Sequence, residues 1–223
     1  MSQLSLPVVV GVTGASGAMY AVRLLQALCQ AEVDVHLTVS PSGAAVIRQE
    51  TGVALNLREP DLLRLLGYVP AWSTARRRQL IDRVDWESQL KRHLQYHHYE
   101  DYFTPIASGS FRTAAMVVCP CSGSTLSGIA RAASNNLITR AAEVHLKEHR
   151  KLVLVPRETP LSVLQLENMH RVAAAGATML PAMPGWYHGV ESLDCLVDFV
   201  VGRILDQLQV DNRMIDRWKE TTT

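Results

Sequence analysis

A cation and a carboxylate stand side by side in Pro156-Arg157-Glu158-Thr159-Pro160, directly after the apolar run Leu152 to Val155. Charged pairs at strand ends are rarely needed for folding alone, which makes Arg157 and Glu158 candidates for ligand contact. A structural ion pair is the alternative. The second set is Thr13-Gly14-Ala15-Ser16-Gly17, which follows an apolar run and opens an amphipathic pattern. Glycines there let the backbone approach a ligand, N–H groups point at an anion, and Ser16 supplies a hydroxyl. The motif is neither a P-loop nor the full dinucleotide fingerprint, which argues for a mononucleotide. A plain tight turn is the competing reading.

Three further clusters carry chemistry. Cys121-Ser122-Gly123-Ser124-Thr125 reads as a second anion site at a helix start, or as simple capping. Ser108-Gly109-Ser110-Phe111-Arg112 groups small polar residues beside an arginine. Asn135-Asn136 precedes Arg140 and Lys147, a cation every other turn of a helix or ordinary surface charge. His93, His97 and His98 invite a metal reading because His93 and His97 are one helical turn apart. Zinc needs more ligands than that spacing fixes, so no metal is expected.

The elements that must position these residues alternate short β-like runs with helical ones, the pattern of a parallel sheet with crossover helices. Strands are expected at Pro7–Val12, Val33–Val39, Ala114–Cys119, Leu152–Val155 and Ala177–Leu180. Helices are expected at Gly17–Gln30, from Ser40-Pro41 onward, from Ser124 or Thr125, and at Leu137–His149, Leu161–Ala175 and Leu193–Leu208. In the first helix Ala18, Ala21, Leu24, Leu25 and Leu28 share one face. Glu143 and Lys147 are spaced for an i,i+4 pair. Between Gly67 and Thr104 the rhythm breaks, and Trp86, Leu90, Leu94 and His97 or His98 fall at helical spacing. That segment reads as an inserted helical arm or lid near 68–104. Ligands of open α/β sheets bind at the carboxyl ends of the strands, so the Gly14 and Arg157 stretches should meet over one phosphorylated ligand.

Whole-chain properties narrow the class. The 223 residues suit one domain, 1–223, with 209–223 as a C-terminal tail, and 48% are hydrophobic, ample for a core. A net charge of +1 argues against a generic nucleic-acid binder. Arg76-Arg77-Arg78, the one basic cluster, reads as a solvated helix face. Apolar runs are strand-length, too short for a membrane span, and the N-terminus lacks a signal-peptide layout, which points to the cytoplasm. Cys119-Pro120-Cys121 lacks the spacer of a redox or zinc pair, so Cys29, Cys119, Cys121 and Cys195 read as buried free thiols.

Taken in order, these motifs resemble the UbiX-type flavin prenyltransferases, within the wider flavoprotein family that includes cysteine decarboxylases. The similarity runs from about Val8 through Gln207. It is densest in Ser108 to Thr113, Cys119 to Leu126, Asn136 to Val144, Leu146-Lys147-Glu148 and Arg157 to Leu161. The decarboxylase branch carries Pro-Ala-Ser-Ala-Asn-Thr where this chain reads Pro120-Cys121-Ser122-Gly123-Ser124-Thr125. The resemblance implies an α/β, Rossmann-like (flavodoxin-like) three-layer sandwich, assembled as a homododecamer with FMN at subunit interfaces. It implies transfer of a dimethylallyl group from dimethylallyl monophosphate to N5 and C6 of reduced FMN, without a metal. Prenylated FMN would then serve a partner UbiD-type decarboxylase.

Residue by residue, Gly14, Ala15 and Ser16 match the first FMN turn, and Ser40 the serine after the second strand. Ser122, Gly123, Ser124 and Thr125 match the second FMN loop, and Arg157 the FMN-binding arginine. Tyr187 and Arg203 match residues that hold the dimethylallyl phosphate, with Arg140 and Lys147 as further phosphate-side cations. Ser16, Glu50 and Glu158 match the polar groups near N5 and C6, making them the expected catalytic residues. Two departures stand out: Trp186 where the family usually has phenylalanine, and a segment from Gly67 to Thr104 longer than usual. An FMN-dependent decarboxylase of the same fold and a non-catalytic flavin carrier are the alternative functions.

Overall fold

A computed structural model describes residues 4–215. The last part of the expected tail, 216–223, lies outside the described residues. Six strands, β1 (Val8–Val12), β2 (Val35–Val39), β3 (Leu94–His97), β4 (Ala115–Cys121), β5 (Lys151–Pro156) and β6 (Thr178–Met179), form one sheet in the order β3-β2-β1-β4-β5-β6. Every pairing is parallel. This is the doubly wound order, in which crossovers leave β1 and β4 in opposite directions and open a crevice between their carboxyl ends.

The connections are helices α1 (Ala18–Gln30), α2 (Pro41–Thr51), α3 (Leu62–Leu66), α4 (Ala75–Asp82), α5 (Trp86–His93), α6 (Gly123–Ala130), α7 (Leu137–Lys147), α8 (Val163–Ala174) and α9 (Leu193–Leu208). Central strands of such a sheet are covered on both faces and read as unbroken apolar runs, as Val8–Val12 does. Alternate residues divide between two cores. Val8, Val10, Val12, Val117 and Val155 pack with α1 and α9, while Val9, Met116, Val118 and Leu154 pack with α6 and α7. The face expected on α1 is buried at all five positions.

Local signals set most boundaries. Ser40 caps α2 by accepting from the Gly43 N–H at 3.0 Å, with Pro41 in the first turn. Asn136 and Thr139 form a capping box on α7. β2 begins two residues later than its alternation suggested. β4 runs past Cys119 to Cys121, because Cys121 regains pairing with Pro156 across an irregularity after Val118.

The segment 68–104 carries two helices, α4 and α5, and both belong to the main body. Ile81 and Trp86 are buried in the α1-side core, and the Trp86 indole donates to the Ile81 carbonyl at 3.0 Å. The helical spacing expected through His97 stops at His93. Leu94–His97 instead forms the edge strand, in register with Val35–Thr38 of β2. The ladder of an otherwise open β2 edge takes these residues over their helical periodicity.

Several side chains also differ from expectation. His93 Nδ1 meets Asp34 Oδ1 at 3.0 Å, whereas His97 Nε2 lies 2.7 Å from His36 Nδ1. Among the described residues no group of three potential ligands is placed to hold a metal. Arg77 bonds Asp198, and Arg78 donates to the Pro70 carbonyl, so the arginine run is partly consumed in tying α4 to its neighbours. Glu143 pairs with Arg140 at 3.3 Å, not with Lys147, which bonds Glu148 at 2.6 Å.

Candidate active site at the strand-order reversal

Thr13 joins the two sides of the crevice. This 1% exposed residue follows β1, and its hydroxyl donates to the Pro120 carbonyl at 2.8 Å and accepts from the Ser122 N–H at 2.8 Å. The loop after β1 and the loop after β4 are thereby held in one arrangement. Burial pushes the thiols of Cys119 and Cys121 up, the latter to about 12, so neither is a thiolate nucleophile here.

The first turn is tight by necessity. A Cβ on Gly14 would stand 2.5 Å from Ser42 Cβ, and Gly17 enters α1 at φ 114. The anion expected at this helix start comes from the chain itself. Glu50, on α2, accepts from the Gly17 N–H at 3.0 Å and the Ala18 N–H at 2.7 Å. A carboxylate at a helix N-terminus is favoured by the helix dipole. Glu50 therefore serves as an α1 cap here, a role that the residue pattern did not reveal.

The second loop is differently disposed. Ser122 accepts from the Thr125 N–H at 3.3 Å, and its hydroxyl lies 3.1 Å from that of Ser124. The N–H groups of Gly123 and Ser124 carry no internal acceptor among the described residues. This helix start, with its hydroxyls, fits a phosphate-bearing ligand such as a flavin mononucleotide. Arg157, just past β5, reaches across to the first turn, with Nε donating to the Ser16 carbonyl at 3.2 Å. Its neighbour Glu158 is exposed and accepts from Gln165 Nε2 at 3.3 Å. Gly14, Ala15, Ser16, Ser40, Glu50, Ser122 to Thr125, Arg157 and Glu158 thus gather at one end of the sheet. The sequence placed Thr13 in the first turn but gave no sign of its bridging role, whose only signal was a hydroxyl directly after an apolar strand.

Lys147 stands apart from that end. Lys147 closes α7 just before the start of β5, while Arg157 follows its finish, and six parallel-strand residues separate those ends by roughly 17 Å. Arg140 lies between, donating Nε to the Ala107 carbonyl at 3.1 Å. Lys147 and Arg140 therefore flank the Ser108–Phe111 loop at the amino-end side of the sheet. Tyr187 packs edge-on against Phe199, with ring centres 5.8 Å apart, and Arg203 follows Phe199 by one turn of α9. Tyr187 and Arg203 thus share an α9 face, where Arg203 also bonds Asp206 at 2.9 Å. The chain also exposes the large apolar side chains Val163, Leu164, Met183 and Trp186.

An anion-receiving crevice at the order reversal of a parallel sheet defines a mononucleotide-binding α/β protein. The chain matches the Flavoprotein family over residues 2–205 and belongs to it. It is 44% identical over 211 residues to the flavin prenyltransferase UbiX of Alkalihalophilus pseudofirmus, with 95% of each chain covered. Among solved structures, AnUbiX in complex with FMN and dimethylallyl pyrophosphate is 35% identical, with a TM-score of 0.74 and coverage of 97% of this chain and 98% of that one. A dodecameric FMN-dependent UbiX-like decarboxylase from Escherichia coli O157:H7 is 38% identical, with a TM-score of 0.73 and coverage of 96% and 100%. Within the family the chain falls in the UbiX-type branch.

Proposed function

We propose that this chain is a flavin prenyltransferase that moves a dimethylallyl group from dimethylallyl monophosphate onto reduced FMN, giving prenylated FMN and phosphate. The observation that carries this reading is the crevice stapled by Thr13, with Ser122 to Thr125 and Arg157 converging on it, in a chain 44% identical to a flavin prenyltransferase along almost its whole length. Reduced FMN is a substrate and supplies the two nucleophilic positions, N5 and C6. Gly14, Ala15, Ser16, Ser40, Ser122, Gly123, Ser124, Thr125 and Arg157 bind and orient it.

The allylic C–O bond breaks with its electron pair leaving on phosphate. Arg140, Lys147, Tyr187 and Arg203 hold that phosphate and stabilise its growing charge by fixed electrostatics. In one chain Lys147 lies at the other end of β5 from Arg157, so copies of the chain must complete the site together. This fits the exposed apolar side chains and a homo-oligomer, a dodecamer by analogy with the E. coli structure. Trp186, 70% exposed, offers an aromatic face to the allylic cation. N5 passes its proton to the released phosphate as it takes the allylic carbon, the phosphate returns a proton to the remaining alkene, and C6 closes the second bond by attacking the tertiary cation so formed and losing its own proton. In this reading Glu158, next in sequence to the Arg157 that touches Ser16, takes the C6 proton.

The product would go to a UbiD-type decarboxylase. Cytoplasmic placement belongs to the same reading, supported by four free cysteines. No described helix is long and apolar enough to cross a membrane. The experiment is anaerobic incubation of the purified protein with reduced FMN and dimethylallyl monophosphate, reading flavin mass and free phosphate. Gain of one prenyl unit with release of phosphate is expected. Stoichiometric, unmodified FMN would overturn the proposal in favour of a decarboxylase, the activity named for the E. coli structure.

A further inference from the structure

The turn that ends α7 aims one arginine at the loop beside Lys147. The N–H of His149 donates to the Leu146 carbonyl at 3.2 Å and that of Arg150 to the His145 carbonyl at 2.8 Å. With His149 at φ 52, this is a Schellman closure built on a residue other than glycine. It fixes the direction in which Arg150 leaves the helix end. The guanidinium donates Nη1 to the Phe111 carbonyl at 2.7 Å and Nη2 to the Gly109 carbonyl at 2.6 Å. A rigid fork thus grips both sides of the Ser108–Phe111 loop, with the Ser108 and Ser110 hydroxyls 2.9 Å apart at its exposed tip.

The gripped loop lies directly on Lys147. A Cβ on Gly109 would stand 2.8 Å from Lys147 Nζ and 2.3 Å from Glu148 Oε1. Glu148 holds the Lys147 ammonium through Oε1 at 2.6 Å, while its Oε2 lies 4.0 Å from Arg150 Nη2. Lys147 holds the Glu148 carboxyl below its usual range, with Arg150 adding a smaller pull in the same direction. Arg150 therefore touches both walls around the ammonium: the loop by hydrogen bonds and the carboxylate by charge. Water can satisfy two loop carbonyls, but it cannot hold them at one distance from a lysine.

We propose that Arg150 is a positioning residue for the phosphate of the allylic substrate, holding Lys147 and the Ser108–Phe111 loop in the arrangement that receives it. The inference rests on the prenyl-transfer reading, in which Lys147 faces that phosphate. Arg150 itself touches no reacting atom.

The test uses the assembled, FMN-loaded protein with Arg150→Gln and Arg150→Lys. KM for dimethylallyl monophosphate and the inhibition constant of inorganic phosphate should both rise about tenfold, the loss expected when a charge-assisted contact goes slack. Flavin content and unfolding temperature should stay at wild-type values, and kcat should change much less than KM. Lysine should not rescue, because a single ammonium cannot span the two carbonyls. An unchanged KM overturns the proposal. So does a raised KM accompanied by lost flavin or a lowered unfolding temperature, which would mark Arg150 as a support of the fold. Should Arg150→Gln not fold, Gly109→Ala pushes the Lys147 ammonium and the Glu148 carboxylate off the loop with Arg150 intact and should give the same signature; wild-type KM there also overturns it. A wild-type protein that does not prenylate FMN removes the underlying reading and this inference with it. That failure is seen before any variant is made, so the two are distinguishable.

Discussion

Replacing Thr13 with valine changes almost no volume yet removes the link between the two sides of the crevice. At 1% exposure the added methyl is buried, and area arguments alone credit it with about 0.8 kcal/mol of stabilisation. The hydrogen-bond ledger points the other way. Pro120 keeps the Thr13 N–H at 3.2 Å as a donor, but the Ser122 N–H loses its acceptor at 2.8 Å. One orphaned buried donor costs about 1–3 kcal/mol, and each lost bond about 1 kcal/mol. Thr13→Val should therefore destabilise the fold by roughly 2–3 kcal/mol after the methyl is counted. Thr13→Ser, which keeps the hydroxyl and loses only a methyl, should cost about 1 kcal/mol. Urea unfolding at fixed protomer concentration separates the two, since assembly makes stability concentration-dependent. FMN affinity should fall in the valine variant only, because Ser122 begins the second loop. A valine variant as stable as wild type, or more stable than the serine variant, would refute the staple.

Three other outcomes follow from the same contacts. Glu50→Gln should cost about 1–2 kcal/mol, because an amide cannot reproduce a carboxylate facing two N–H groups at a helix start; equal unfolding curves for variant and wild type would return Glu50 to a purely catalytic role. Glu158→Gln should retain FMN yet slow prenylation at least about a hundredfold, the scale of a lost acid–base group; wild-type turnover would remove Glu158 from proton transfer. Stability should fall on acidification because burial holds His145 down to about 4. Its neutral form uses both ring nitrogens, with Nδ1–H donating to the Ala141 carbonyl at 2.7 Å and Nε2 accepting from the Thr113 hydroxyl at 2.8 Å. The unfolded chain binds this proton near pH 6.5 and the folded chain does not, so the contribution is complete above that pH and is lost as pH drops toward 4. About 3 kcal/mol is at stake over that window. His97, also lowered to about 4 by burial and by His36, acts in the same sense. Urea midpoints that stay flat between pH 7 and pH 5 would contradict this.

The chain's own letters determined the elements and the loops that carry chemistry. Val8–Val12 announces itself as an unbroken apolar run and Leu193–Leu208 by helical spacing of its apolar residues, and Ser40, Ser122 and Asn136 cap the helices they precede. Such signals act within a few residues, where propensity, periodicity and capping operate, so they survive in any reading of the sequence. What only the tertiary structure decided lies at long separation. Glu50 meets a helix start 33 residues earlier, and Thr13 meets Ser122 at a separation of 109. Leu94–His97 became a strand because β2 offered an unfilled ladder, against a helical spacing that continued through it. Periodicity records which face of an element is apolar. It carries no record of which distant backbone groups will need a partner once that face is buried, and those unmet hydrogen bonds and charges are what selected the contacts of this site.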